Sequence, residues 1–253
     1  MAIKLVISGC CGRMGRSIAS LALQDPRFAI GAALERAGHE AIGHDLGTVL
    51  GRPSAVGVPV SDDAKAGISR GDVLIEFTAP EVTVAHAQFA QQARTPIVIG
   101  TTGLSETQRE ALQAASSAIP IVLSPNMSLG VNVLFELAQA AAHRLGPGYD
   151  VQIVESHHRH KPDAPSGTAK RLAEVLASAR HHLPAAIPVH AIRAGDIVGD
   201  HTVIFAGPSE RMELTHRAHS REVFAQGALR AARFVVGKPP GLYDMSHVLT
   251  GPS

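Results

Sequence analysis

The sequence is poor in the residues that mark several classes of protein. Of its 253 residues, two are Cys, none is Trp, and aromatic residues make up 4%. The two Cys are adjacent, at positions 10 and 11, which suits neither a disulfide framework nor a zinc site. With 23 Lys+Arg against 22 Asp+Glu, the net charge of +1 argues against the broad basic surface of a nucleic-acid-binding protein.

Long apolar stretches are also missing. No window approaches the roughly 18 to 20 uninterrupted apolar residues that a membrane span requires, so we expect no membrane partner. The first residues lead directly into a strand-like segment and give no sign of a signal peptide. Together with the Cys usage, this favours a reducing cytoplasm. Histidine, by contrast, is abundant, with 14 residues, and modest pKa shifts would charge some of them at neutral pH.

Short apolar runs alternate with segments of helical periodicity in the first half of the chain. Continuous apolar strands separated by helices of about a dozen residues are typical of parallel βαβ units with both sheet faces covered. The pattern predicts an α/β fold with a doubly wound Rossmann-type sheet over residues 1–126. The predicted strands are Ile3–Ser8, Phe28–Leu34, Asp72–Phe77, Pro96–Gly100 and Ile119–Leu123, and the predicted helices are Arg13–Gln24, Glu81–Ala93 and Ser105–Ser117.

The second half has a different pattern, in which three segments with strand character, IPVHAIRAG, HTVIFAG and RMELTHRA, follow one another with glycine turns between them. Such a run predicts a mostly antiparallel or mixed sheet and thus a second, smaller α+β domain over residues 127–221. The other predicted elements are a long apolar helix after Asn126, a strand over Asp150–Glu155, helices over Gly167–Arg180 and Glu222–Val236, and a short tail from Gly241.

A glycine-rich loop follows the first strand, with the sequence Gly9-Cys10-Cys11-Gly12-Arg13-Met14-Gly15. Small residues in such a strand-to-helix turn let backbone N–H groups approach a pyrophosphate. Cys11 stands at the second glycine position of the usual motif, so a simple glycine turn is the alternative. Glu35 ends the second strand, where a carboxylate would meet ribose hydroxyls. Its neighbour Arg36 could pair with a 2′-phosphate, and the alternative for Arg36 is a solvated surface residue. Glu35 and Arg36 side by side predict the use of both NADH and NADPH.

Two further loops follow predicted strands, at the edge of the sheet where ligands bind in such folds. They are Gly100-Thr101-Thr102-Gly103 and Ser124-Pro125-Asn126-Met127. Both place hydroxyl and backbone groups beside the expected nicotinamide pocket, and the alternative for each is an ordinary βα turn.

The most unusual segment is ESHHRHKPDAPSGT, which begins at Glu155. Five consecutive residues, from His157 to Lys161, can carry positive charge, and a helix then begins near Ser166, Gly167 and Thr168. A helix N-terminus with clustered cations nearby favours a small polyanionic substrate. The alternatives are a zinc site, which lacks the usual ligand spacing, a nucleic-acid site, which lacks interleaved aromatic residues, and a plain surface loop.

A nicotinamide domain and a cationic pocket that holds protons indicate hydride transfer to an anionic electrophile. Hydride addition to a C=C or C=N bond leaves negative charge that a general acid must neutralise, and histidine suits that role. A lysine nearby stabilises the charge or supplies a proton itself.

The motifs GCCGRMG, GAALER, VIGTTG, SPNMSLGVN, ESHHRHKPDAPSGTA, RAGDIVGDHTV and GLYDM resemble those of the 4-hydroxy-tetrahydrodipicolinate reductase family, in order and over nearly the whole chain. The resemblance implies reduction of a cyclic dicarboxylate imine with NADH or NADPH, with loss of water, on the diaminopimelate route to lysine. It also implies no metal, a homotetramer built through the sheet of the second domain, and a C-terminal segment of about 222–253 that completes the dinucleotide-binding domain.

The resemblance also implies roles for individual residues. His157 matches the general acid and Lys161 the second proton donor. The positions that hold the substrate carboxylates are His158, Gly167 and Thr168. The cofactor contacts are Gly9, Cys10, Cys11, Gly12, Arg13, Met14, Glu35, Arg36, Gly100, Thr101, Thr102, Ser124, Pro125, Asn126 and Met127.

Two features depart from the family pattern. Cys10-Cys11 replaces a small Ala/Gly pair, and we expect Cys11 to crowd the pyrophosphate slightly. The stretch 179–187 is short, which we expect to affect packing or assembly and not the chemistry. Two other functions remain open from the residues alone: another two-domain nicotinamide oxidoreductase of the amino-acid dehydrogenase type, and a dinucleotide sensor without catalysis.

Overall fold

The computed structural model describes residues 1–181 and 186–251. The chain divides into two compact units, one formed by Met1–Met127 with the segment from Phe224 onward, and the other by Ser128–Val223. The predicted fold class, a doubly wound parallel sheet accompanied by a smaller α+β unit, is confirmed. No helix within the described ranges is long and apolar enough to cross a membrane.

The first unit is built on a parallel sheet that has seven strands in the described residues. Its central strands are buried on both faces because helices cover them, which explains their unbroken apolar runs. The strands are β1 (Ile3–Ser8), β2 (Phe28–Leu34), β3 (Val60–Ser61), β4 (Val73–Glu76), β5 (Ile97–Ile99), β6 (Pro120–Leu123) and β11 (Gly241–Tyr243), in the spatial order β11-β6-β5-β4-β1-β2-β3. The helices are α1 (Arg13–Ala22), α2 (Leu46–Val49), α3 (Ala64–Ile68), α4 (Pro80–Ala93), α5 (Glu106–Ala115), α8 (Glu222–Val235) and α9 (Met245–Thr250).

The C-terminal segment corrects one prediction, because the residues from Gly241 do not form a short tail. β11 pairs in parallel with β6 at the sheet edge. Asp244 is the N-cap of α9, and its carboxylate accepts hydrogen bonds from the backbone N–H groups of Ser246 and His247 at 3.0 and 3.3 Å. A strand as short as Gly241–Tyr243 has too few positions to show a period, so its pairing with β6 leaves no signal in the sequence.

The segment between β2 and β3 contains α2, which the sequence did not predict. Asp45 organises it, since its carboxylate accepts hydrogen bonds from the backbone N–H groups of Gly47, Val56, Gly57 and Val58 at 2.7–3.1 Å. Hydrogen bonds to one carboxylate therefore hold this segment, and it lacks the apolar periodicity by which a longer element is predicted.

The second unit is a mixed sheet with the order β10-β9-β7-β8, in which β7 pairs in parallel with β8 and antiparallel with β9. Its core lies between one face of this sheet and two helices, with Phe205, Ile153 and Leu172 among the fully buried side chains. Residues 182–185 of the short stretch 179–187 lie outside the described residues. The elements are α6 (Leu129–Leu145), a 3-10 turn (Gly146–Gly148), β7 (Asp150–His157), α7 (Gly167–Ala179), β8 (Val189–Arg193), β9 (Gly199–Ala206) and β10 (Arg211–Ala218).

Strand β7 runs from the core of the second unit to the histidine-rich segment. From Val151 onward, buried and half-buried residues alternate, and the inward positions are Val151, Ile153, Glu155 and His157. The apolar inward face of the strand therefore ends in a carboxylate and an imidazole, which the rest of the unit must accommodate.

Candidate active site

The glycine loop makes the tight turn that the sequence predicts. Gly9 has a φ of 71°, a conformation that favours glycine. A Cβ on Gly15 would lie 2.1 Å from the carbonyl oxygen of Gly9, so α1 packs directly on the loop backbone. Among the described residues, no side chain donates or accepts a capping hydrogen bond at Gly12, the N-cap of α1. The helix N-terminus is therefore open to an anion such as a pyrophosphate.

Glu35 is joined to the glycine loop. Its Oε2 accepts a hydrogen bond from the backbone N–H of Cys11 at 3.0 Å, and its Oε1 accepts one from the N–H of Arg36 at 3.1 Å. The side chain of Arg36 is exposed. The end of β2 thus presents a carboxylate and a guanidinium beside the loop, where an adenosine ribose would lie in this fold.

The two thiols lie together with the same carboxylate. The Sγ atoms of Cys10 and Cys11 are 3.9 Å apart, and with Glu35 they form the one group of potential metal ligands found in the described residues. Burial raises the pKa of both thiols, above all that of the fully buried Cys10. Because a metal ligand must be a thiolate, this environment opposes metal binding.

Phe77, which follows β4, packs against the loops that follow β1 and β5 at the same edge of the sheet. A Cβ on Gly9 would lie 2.9 Å from the carbonyl oxygen of Phe77, and one on Gly100 would lie 2.1 Å from its ring. Thr101 is buried, and its Oγ1 accepts hydrogen bonds from the N–H of Thr78 at 3.2 Å and from the hydroxyl of Thr83 at 2.8 Å. The loops after β1, β4 and β5 therefore form one packed surface.

The loop after β4 was not among the predicted site loops. Phe77 and Thr78 follow β4, which pairs directly with β1, so the rule that selected the loops after β5 and β6 applies equally here. Glu76, at the end of β4, is fully buried, and its carboxylate accepts hydrogen bonds from the Thr78 hydroxyl and from Nδ1 of His86, the latter at 2.7 Å. A charged residue that closes an apolar strand was the available signal.

The loop after β6 continues this surface next to β5. Ser124 is buried, and its hydroxyl donates to the carbonyl oxygen of Asn126 at 2.8 Å, which closes the turn. Met127 is 1% exposed, and its carbonyl oxygen would lie 1.7 Å from a Cβ on Gly227 of α8. Pro125, like Arg13 and Thr102, is exposed.

His157 ends β7 in the second unit, and its neighbours fix its ring. It is 8% exposed, and its Nδ1 lies 2.5 Å from Oε2 of the fully buried Glu155. On the other side of the ring, a Cβ on Gly199 would lie 3.0 Å from Nε2. The ring of His201, on β9, contacts that of His157 edge to face, with centroids 5.2 Å apart.

Glu155 is also bound by two other elements. Arg193, at the end of β8, donates from Nη2 to Oε1 at 2.7 Å and from Nη1 to Oε2 at 3.0 Å. The backbone N–H of Ser166 donates to Oε1 at 3.1 Å. Neither Glu155 nor Arg193 was among the predicted site residues, although a charged residue at an inward position of an alternating strand is a signal for such a role.

The remaining predicted residues lie around this group. Nζ of Lys161 is 2.7 Å from Oδ1 of Asp163, whose carbonyl oxygen accepts a hydrogen bond from Arg193. Nε2 of His158 lies 3.3 Å from Nη2 of Arg221. Gly167 and Thr168 are the first residues of α7, and Ser166 is its N-cap. The second unit therefore gathers the predicted proton donors and the predicted carboxylate receptor.

Electrostatics at His157 and Glu155 follow from burial and hydrogen bonding. Burial alone would raise the pKa of Glu155, but the hydrogen bonds from Arg193, His157 and Ser166 outweigh it and lower this pKa. Burial lowers the pKa of His157, with Glu155 opposing the shift and the cations of Lys161 and Arg193 adding to it. Glu155 is therefore a carboxylate, and burial together with the two cations favours the neutral form of His157.

Comparison with known proteins places both units in one family. Residues 3–127 match the family described as dihydrodipicolinate reductase, N-terminus, and residues 130–249 match dihydrodipicolinate reductase, C-terminus. The chain is 49% identical to a 4-hydroxy-tetrahydrodipicolinate reductase of Anaeromyxobacter dehalogenans, over 97% of each chain. It is 46% identical to the enzyme of that name from Ralstonia pickettii, over 98% of this chain and 99% of the relative.

A solved structure has the same fold over nearly the whole chain. It is a dipicolinate-bound dihydrodipicolinate reductase from Paenisporosarcina sp. TG-14, with a TM-score of 0.82, 26% identity and coverage of 96% of this chain and 98% of that one. The chain therefore belongs to the dihydrodipicolinate reductase family, the NAD(P)H-dependent oxidoreductases of lysine biosynthesis.

Proposed function

We propose that this chain reduces the cyclic imine 4-hydroxy-tetrahydrodipicolinate to tetrahydrodipicolinate, and that His157 is the general acid of the reaction. When bound, NADH or NADPH supplies the hydride. The protein donates one proton to the reduced ring and one to the leaving hydroxyl, and the ring gives up one proton as the water is lost, so the reaction consumes one proton net and atoms and charge balance. The uncapped N-terminus of α1 suits the cofactor pyrophosphate, and Glu35 at the end of β2 suits its ribose hydroxyls.

The observation that carries the assignment is the 2.5 Å hydrogen bond between Nδ1 of His157 and Glu155. The carboxylate holds a proton on Nδ1, so the proton that the imidazolium can transfer is on Nε2. Gly199 leaves space beside that nitrogen, because any larger residue would place a Cβ 3.0 Å from it.

The substrate itself promotes the acidic form of His157. Burial lowers the pKa of His157 most, and the cations of Lys161 and Arg193 lower it further. A bound dicarboxylate offsets these two positive charges, which raises the pKa of His157. Binding of the substrate therefore favours the charged form of the general acid.

Lys161 is the second proton donor in this proposal. Its ion pair with Asp163, at 2.7 Å, means that the substrate competes with a carboxylate for the ammonium group. The substrate carboxylates are assigned to His158 and to the N-terminus of α7 at Gly167 and Thr168, since a helix N-terminus favours anions.

Several broader properties belong to the same proposal. Glu35 and Arg36 together support the use of both NADH and NADPH. We propose that no metal takes part, because burial keeps the thiols of Cys10 and Cys11 protonated. The mixed sheet, which carries helices on one face, would form a homotetramer through its other face, where Ile192 is 46% exposed. A cytoplasmic location is proposed with the biosynthetic role.

The test is NAD(P)H oxidation coupled to dihydrodipicolinate synthase with pyruvate and aspartate semialdehyde. His157→Gln should lower kcat by about 100-fold or more, the usual contribution of a general acid, while the Kd for the cofactor is unchanged. His219→Gln, at an exposed position of the same unit, is the matched control and should retain full activity.

Unchanged turnover in His157→Gln would refute the role of this residue. If the unsubstituted protein itself binds NADH but is inactive with an active coupling enzyme, the reductase assignment is wrong and a dinucleotide sensor is favoured.

A further inference from the structure

Glu155 is a buried carboxylate with more partners than a structural ion pair requires. We propose that Glu155 is a positioning residue of the reaction, which holds His157 with Nε2 towards the substrate and ties it to the N-terminus of α7. The inference rests on the proposed role of His157 as general acid. Glu155 itself does not touch the reacting atoms, since its two oxygens are occupied by protein donors.

The number and origin of these donors distinguish positioning from charge balance. Arg193 neutralises Glu155 with two hydrogen bonds, at 2.7 and 3.0 Å, and that alone would satisfy the charge of a buried carboxylate. The bonds from His157 and from the N–H of Ser166 are additional, and they come from a different strand position and from the cap of α7. The carboxylate therefore lies at the junction of three elements.

Four side chains, one from each segment that surrounds the ring, contact His157 or shift its pKa. They are Glu155 on the same strand, Arg193 on β8, His201 on β9 and Lys161 in the following loop. Glu155 is the acidic member of this set, and it opposes the lowering of the pKa of His157 by burial and by the two cations. Loss of Glu155 would therefore lower the pKa of His157 further and leave the ring without its Nδ1 partner.

The same carboxylate also sets the start of α7. The N–H of Ser166 donates to Glu155 at 3.1 Å, while the Ser166 hydroxyl accepts the N–H of Ala169 at 3.2 Å as the helix cap. Gly167 and Thr168 follow directly. The distance between the proton donor and the proposed carboxylate receptor is thus fixed through one side chain.

A double-mutant cycle tests the inference. Glu155→Gln keeps the volume of the side chain and should lower kcat by about 10- to 100-fold, as expected for loss of a charged hydrogen bond. In the His157→Gln background, the same change should alter kcat by less than about twofold, because coupled residues are not additive. The basic limb of the kcat/KM pH profile of Glu155→Gln should move to lower pH.

Two further variants separate positioning from folding. Glu155→Gln leaves Arg193 buried without its anion, so the pair Glu155→Gln/Arg193→Met removes both charges and should recover the thermal stability that the single change loses. Its kcat should remain at the level of Glu155→Gln. Glu155→Asp keeps the charge and should retain more activity than Glu155→Gln.

Three results would overturn the inference. The first is an equal loss of kcat on changing Glu155 in the presence and the absence of His157, and the second is an unshifted pH profile. The third is full recovery of kcat in the Glu155→Gln/Arg193→Met pair, which would assign charge balance alone. A fully active His157→Gln variant would instead remove the proposed role of His157, and the inference with it, so the two failures are distinguishable.

Discussion

Substitution of Gly199 by Ala tests the proposed proton donor without changing any polar group. Gly199 begins β9 and is buried. An added Cβ would lie 3.0 Å from Nε2 of His157 and 3.3 Å from Cδ2. Both distances are shorter than ordinary van der Waals contact, so the ring must move by a few tenths of an ångström. Its bond to Glu155 resists that movement.

The size of the effect follows from this displacement. A misplacement of about 1 Å costs roughly 100-fold in rate, so a shift of a few tenths of an ångström should lower kcat by about tenfold. Packing an extra methyl group into a filled site destabilises the fold by about 1–3 kcal/mol. The methyl group also excludes water from Nε2, which disfavours the imidazolium. The pKa of His157, already lowered by burial, should therefore fall further.

The assay is the coupled reductase reaction over a pH series, together with cofactor titration and thermal unfolding. The acid is active when protonated, so activity falls as the pH rises through its pKa, and in Gly199→Ala this fall should occur at lower pH. Gly148→Ala is the matched control, because a Cβ there would meet no atom of the described residues within 4 Å. Wild-type kcat with an unmoved profile, at a temperature where Gly199→Ala is folded, would show that Nε2 of His157 is not the donor.

Two predictions concern the cofactor site. Gly15→Ala should weaken binding of both NADH and NADPH by at least about tenfold, since its Cβ would lie 2.1 Å from the carbonyl oxygen of Gly9 and push α1 off the loop. Fluorescence titration measures the two Kd values, with Gly148→Ala as the control. Unchanged affinity in Gly15→Ala would contradict the prediction. Arg36→Ala should raise the Kd for NADPH by about tenfold and leave that for NADH unchanged, because only NADPH carries the 2′-phosphate; equal changes for both cofactors would show that Arg36 does not contact that group.

The sheet of the first unit could be predicted from sequence because its strands are buried on both faces. The runs Leu5–Ile7 and Val73–Ile75 are apolar for this reason, and the helices between the strands keep their helical periodicity. The prediction fails where pairing and not pattern decides the structure. β11, over Gly241–Tyr243, depends on the open edge of β6, and the segment around Asp45 depends on backbone hydrogen bonds to one carboxylate.

The candidate site likewise contains residues that could be predicted from the sequence and residues that could not. The glycine loop and the segment from His157 to Lys161 are continuous in sequence, so their residue types alone indicated phosphate and carboxylate binding. Glu155 and Arg193 are 38 positions apart, and the sheet register that pairs β7 with β8 brings them together. That register is a property of the folded sheet. What the sequence did offer was the conflict itself, a charged residue on the inward face of β7.

The buried charge on β7 connects the stability of the unit with its function. A buried carboxylate and guanidinium are often less stabilising than apolar residues of the same volume, so a unit selected for stability alone has little reason to keep Glu155 and Arg193. The neighbouring His201 is buried, and burial lowers its pKa to about 3, so it stays neutral throughout the range in which an enzyme works. Of these two imidazoles, His157 is therefore the one placed to change charge, because Glu155 opposes the lowering of its pKa by burial. The polar residues of this core are arranged to let one imidazole gain and lose a proton.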